Sequence, residues 1–333
     1  MSAAWRLAYG YAKASGALAK GFLGEGARDL AQARDPRSLT KLIYPGPVPE
    51  STESALIRDA EAGLARRMRS RAERVLFIAG RSPGKILRAA FLPSEAERAK
   101  SFLKAALLGG PAPDASSSDP EAVGMDEAAF PDVRRMFERS IFTWAAEATA
   151  ETWTHVEENR MDREARLAAW DIIRSIRGKD GLSLRRFYVR ETSLRNAVWA
   201  LRLAFSFSMR PEEIVPLLVD LPGADAVSEA LAGASFQPDA RAAFQKWKLS
   251  ALVDDEAGGD FWRIDPASSE ARAEKIVRRA LKSLFRSSGP SEAALYAYLR
   301  LAEAECDVIR SAYESLRIGP EPQSPARAPG GAS

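Results

Sequence analysis

The stretch "ETSLRNAVWALRLAFSF", residues 191–207, is nearly free of helix breakers, opens on an acid, continues through apolar positions and stops shortly before Pro211. It reads as one helix with a buried face. Two other stretches show the same order of parts: "SEAERAKSFLKAALLGG" (94–110) and "EAECDVIRSAYESLRIG" (303–319). Glu95 is followed nine residues later by Lys104, and Glu191 eleven later by Arg202. The likeness extends beyond one helix. Residues 9–47 and 195–239 each read as a longer helix, two short ones, then an aromatic and a Pro-bearing turn, with Tyr44 and Phe236 in matching places. Any two amphipathic helices resemble one another. A repeated order of several elements, at about a hundred residues per unit, predicts more: three similar helical subdomains around a pseudo-threefold axis, as in a funnel or socket.

Composition points the same way. Hydrophobic residues make up 46% and charged residues 28% of the 333, and Ala, Leu, Arg and Glu dominate over β-branched residues. That balance predicts a globular, all-α fold. Lys and Arg number 48 against 45 Asp and Glu, a net charge of +3, so bulk electrostatics selects no partner. A single cysteine, Cys306, excludes an internal disulfide and fits a reducing cytoplasm. A single histidine, His155, excludes a multi-His metal site. No run reaches the roughly 18 uninterrupted apolar residues of a membrane span. At the N-terminus, Arg6, Lys13 and Lys20 fall at helical spacing, which reads as an amphipathic helix rather than a signal peptide.

Periodicity and punctuation predict helices near 5–23, 27–33, 38–43, 53–78 and 85–108, with "GRSPG" (80–84) as a turn. The linker "GGPAPDASSSDPEAVG" (109–124) follows. Val133, Phe137, Ile141, Trp144 and Ala148 then predict one long helix, and Leu167, Trp170 and Ile173 another, broken by "RGKDGLS" (177–183). After the opening stretch come short helices near 212–219 and up to 231, long ones near 240–253, 269–285 and 291–316, and a disordered tail. The expected division is 1–110, a linker at 111–124, then 125–215, 216–319 and the tail at 320–333, with the first and last helices packing across subdomains.

Motifs with chemistry are scarce. "GRSPGK" (80–85) is one residue short of a phosphate loop and is followed by Ile86, where a Ser or Thr would hold magnesium. "HVEEN" (155–159) lacks the second histidine of a zinc helix. Cys306 lies between Glu305 and Asp307, which disfavour a thiolate. Trp144, Trp153, Trp170 and Trp199 read as packing residues. A carboxylate pair stays open, since sequence does not place Asp and Glu together. The basic run "ARRMRSRAER" (65–74) puts Arg67, Arg71 and Arg74 on one helical face with Arg66 and Arg69 beside them. A solvated face, an acidic protein partner and nucleic acid all stay open for it, the last weakened by the absence of interleaved aromatics.

Three segments carry a family resemblance. "AYGYAKASGALAKGFLG" followed by "SLTKLIYPG", and "VRETSLRNAVWALRLAFSFSMRPEEI" through Glu191, Leu194, Asn196, Leu201, Arg202, Pro211, Glu212 and Glu213, resemble the C subunit of V-type or A-type rotary ATPases, whose eukaryotic counterpart is the d subunit. "PSEAALYAYLRLAEAECDVIRSAYESLRIG" resembles that family's final helix. Ser193, where an acid is usual, Met209-Arg210 in place of Leu-Ser, and Glu314, where a base is common, depart from the pattern. The resemblance implies a non-catalytic coupling subunit without cofactor or metal, and with no nucleic acid or small-molecule substrate. It would be a stiff funnel between the central shaft, made of the D and F subunits, and the membrane proteolipid ring, on the cytoplasmic face. Glu191, Asn196 and Arg202 then read as polar ties of the repeated unit. A free-standing helical scaffold for another protein, or an enzyme with an unrecognised carboxylate pair, are the alternatives.

Overall fold

A computed structural model describes residues 2–44, 46–48, 50–79, 84–113, 124–223, 247, 249–253 and 265–318. Among them there are helices and no strand. The order is α1 (Ala3–Lys20), α2 (Ala27–Gln32), α3 (Pro36–Ile43), α4 (Glu53–Ala79), α5 (Gly84–Leu107), α6 (Val133–Phe137), α7 (His155–Ser175), α8 (Gly178–Phe207), α9 (Pro211–Ile214), α10 (Pro266–Ser288) and α11 (Glu292–Ile318). Four short 3-10 turns lie at Glu127–Ala129, Thr143–Glu147, Val215–Leu217 and Ser250–Leu252. The short helix expected up to 231, most of the one expected at 240–253, Phe236, the "GRSP" of the turn at 80–84 and the tail fall outside the described residues.

Local chemistry sets the helix ends. Ser2 caps α1 by accepting from the Trp5 amide, and Asp35 and Ser38 form a reciprocal capping box ahead of α3, with Pro36 where no amide donor is needed. Thr154 and Glu157 do the same for α7. Helix α8, which contains the opening stretch, ends where Ser208 turns left-handed (φ 54°) and the Met209 amide reaches back to the Leu203 carbonyl at 3.2 Å.

Two expectations fail, each for a local reason. The break expected at 177–183 shrinks to Ile176 and Arg177, and α8 runs for 30 residues from Gly178. Gly181 acts as a packing residue here, not a breaker, because a Cβ at that position would collide with the Ile176 carbonyl oxygen. The long helix expected across 133–148 is instead α6, a turn and a 3-10 segment. The Ser140 hydroxyl donates to the Phe137 carbonyl and accepts from the Phe142 amide, both at 3.0 Å, so a side chain takes over the backbone groups that would continue the helix. Met136, Phe137, Phe142 and Ala145 are fully buried in this folded-over segment. Their spacing fits a compact turn as well as a helix.

Helix α11 organises the rest. From Ala293 to Ala302 every residue is buried, a helix enclosed on all sides, and it packs against α1, α2, α3, α4, α5, α8 and α10. Helix α5 lies along α7, and α8 along both α7 and α10. One continuous core runs from Ala14 to Leu301 and draws on residues of all the long helices. A smaller core joins α2, α3, α4 and the end of α11, and a third lies under α9 against α8. Among the described residues no helix is long and apolar enough to cross a membrane.

Candidate functional site

Helices α5, α7, α8, α10 and α11 wall a central cavity of about 690 Å³. Its lining is charged, with both signs present. Arg300, in the middle of the buried α11, donates through Nη2 to Glu191 Oε1 on α8 at 2.9 Å, and the Glu191 side chain is fully buried. Arg300 Nε also lies 3.1 Å from Glu303, one turn along. Arg195 stands 3.7 Å from Glu191, its side chain 41% accessible on the cavity wall. Burial pushes the Glu191 carboxyl up, but Arg300, Arg195 and Arg166 outweigh it and hold the group below the usual carboxylate value. Arg195 in turn is lowered, first by desolvation, its Nε being enclosed although the rest of the side chain reaches the cavity, and next by Arg166.

Around this pair the cavity wall is braced. The Tyr188 hydroxyl donates to the Arg166 carbonyl at 2.9 Å and burial pushes its pKa up to about 12. Asn196 exchanges both amide groups with the Val219 backbone, donating at 2.8 Å and accepting at 3.1 Å, which holds the chain after α9 against α8. On the opposite wall Lys100 of α5 donates to both oxygens of Asp162 at 2.9 Å and to Glu97 at 2.8 Å, tying α5 to α7. Burial raises the Asp162 carboxyl despite that lysine. Arg98 pairs with Glu127 on the 3-10 turn.

Of the polar residues singled out by sequence, Glu191 and Asn196 are buried with internal partners. Arg202 is exposed, with its guanidinium 5.7 Å from the Trp199 ring. Eleven residues, about three turns, separate it from Glu191, so it lies on nearly the same side of α8 and on the cavity lining, but open to solvent. The basic run lies on α4. Arg66 and Arg74 are exposed and Arg71 is half-buried, whereas the side chains of Arg67 and Arg69 lie outside the described residues. His155 is exposed at the start of α7 and stacks on Phe207, with ring centroids 5.2 Å apart. Cys306 is buried, and burial pushes its thiol up to about 12. Among the described residues no cluster has the ligands to hold a metal ion.

Sequence reasoning missed Arg300, Arg166 and the Lys100–Asp162 tie. Arg300 had a signal: a lone charge inside "AALYAYLRLA" must either be paired or break the burial of its helix. Lys100 and Asp162 had none, because they sit 62 residues apart on helices that look solvated alone.

Of the carboxylates on the cavity lining, Glu97, Glu158, Asp162, Glu303 and Asp307 are thus engaged as ion-pair members in a helical wall. No curated protein and no solved structure matches the chain. A family described as ATP synthase (C/AC39) subunit does match, over residues 25–323, which takes in everything from the turn after α1 to beyond the end of α11. An all-α chain matched over that length belongs to the ATP synthase (C/AC39) subunit family.

Proposed function

We propose that this protein is the non-catalytic central-stalk subunit of a V/A-type rotary ATPase, joining the rotor shaft, made of the D and F subunits, to the proteolipid ring at the cytoplasmic face of the membrane. The single observation that carries the reading is the central cavity of about 690 Å³, walled by five helices and cross-braced by ion pairs, in a member of this family. A joint that transmits torque between a slender shaft and a broad ring has to resist deformation. Close-packed helices do so, and the ties from Glu191 to Arg300 and from Lys100 to Asp162 each lock two different helices together. In this reading the helical repeats form a pseudo-threefold funnel, the shaft end seats in the mouth of that funnel, and ATP turnover and ion movement take place in other subunits.

Coexpression with tagged D and F shaft subunits tests it. Stoichiometric recovery of all three after size exclusion is the expected result. Elution of this chain alone, with the shaft proteins intact and paired, would count decisively against the proposal.

A further inference from the structure

A second cavity, of about 740 Å³, opens between α1, α4 and α11, sharing only α11 with the walls of the first. Its floor is apolar and buried: Ile43, Leu64, Val75, Ala302 and Ile309. Its rim carries Lys13 and Lys20 from α1 and Arg71 and Arg74 from α4. Opposing these four cations, the lining includes a single carboxylate, Glu305, which accepts from the Phe22 amide. Lys13 is 5.5 Å from the Tyr9 ring and Arg74 bonds the Ser70 carbonyl, but among the described residues none of the four cations pairs with a carboxylate. The volume falls in the roughly 300–1,000 Å³ range of small-molecule sites, which combine apolar walls with a few placed polar groups.

We propose that this cavity binds an amphiphile with an anionic head and an acyl chain: the chain lies on the floor and the head meets Lys13, Lys20, Arg71 and Arg74. Two further observations agree. Trp5 and Tyr9, on the same helix as the two lysines, stay exposed and stack on each other at 5.3 Å, the kind of aromatic pair that sits at a lipid headgroup boundary. Gly16, on the cavity lining, faces open space, with nothing within 4 Å of where a Cβ would be. The site accounts for Arg71 and Arg74 of the basic run, which the coupling role does not use, and it stands independently of that role.

The test uses the full chain with oleate as the probe, titrated below its micellar concentration and followed by calorimetry. Saturable binding of one oleate per chain is expected, with oleyl alcohol, which has the same chain, binding about tenfold or more weaker because it lacks the charge. Gly16→Leu places a side chain across the opening in a helix that tolerates leucine better than glycine, so it should abolish binding without lowering the melting temperature. Lys20→Glu/Arg74→Glu, both exposed positions, should weaken oleate about tenfold or more. Unsaturable uptake, equal affinity for oleyl alcohol, or unchanged binding by folded Gly16→Leu would each overturn the proposal. So would binding to anionic phosphatidylglycerol vesicles without any binding of monomeric oleate, which would assign the cations to a membrane surface. Tighter binding of a poly-glutamate peptide than of oleate would assign them to an acidic protein and overturn it too.

Discussion

Glu191 of α8 and Arg300 of α11, 109 residues apart in the chain, form a 2.9 Å ion pair in which the carboxylate is fully enclosed and the guanidinium nearly so. A pair of this kind contributes little net stability compared with apolar replacements, but removing one member alone is costly.

Arg300→Met should therefore destabilise the chain by about 3–5 kcal/mol, because it strands a buried carboxylate. Arg300→Lys should restore only part of that loss, since an ammonium has no planar fork to bond Glu191 while facing Glu303. Urea unfolding followed by circular dichroism measures both. A loss under about 1 kcal/mol in Arg300→Met would contradict a buried, coupled pair.

The pH dependence of that pair has a defined sign. The folded-state pKa of Glu191 lies below its ordinary value of 4.5, so its contribution is complete above 4.5 and is lost as the pH falls from there through the folded value. The stability gap between the parent chain and Glu191→Gln should be constant near neutrality and narrow only below about pH 4.5. A gap that widens on acidification would refute the lowered pKa.

Asn196→Ala removes both hydrogen bonds to the Val219 backbone and leaves its buried amide and carbonyl unpaired, at a cost of about 1–3 kcal/mol. The loss should be local as well as global. Hydrogen exchange at the Val219 amide should accelerate more than exchange in α11, and equal acceleration at both would argue against a specific tie.

Gly181→Ala separates two opposing effects. Helix propensity alone favours alanine by roughly 1 kcal/mol, but a Cβ at this position runs into the Ile176 carbonyl oxygen. Backbone cannot yield cheaply, so the melting temperature should fall. A rise would show that α7 and α8 can move apart at their junction.

Much of this molecule was legible in the order of its residues. Gly, Pro and capping residues mark chemistry that acts within one turn, so the bounds of α1 to α5 and of α11 fall within a few residues of the expected ones. The same local rules misplaced Gly181 and the 133–148 segment. Whether a glycine ends a helix or admits a neighbour depends on Ile176, and whether apolar residues spaced three and four apart form a helix depends on the Ser140 hydroxyl.

The sequence alone determined that the chain is helical, where most helices stop, and that Glu191 and Asn196 are polar residues set in a largely apolar stretch, because those properties follow from neighbours a few bonds or one turn away. Only the tertiary structure decided which charges are bound to which. Arg300 finds Glu191, Lys100 finds Asp162, and Arg71 and Arg74 come beside Lys13 and Lys20 around an apolar hollow. An ion pair depends on distance through space, which falls off within a few ångströms, and the packing of α11 among seven other helices sets that distance.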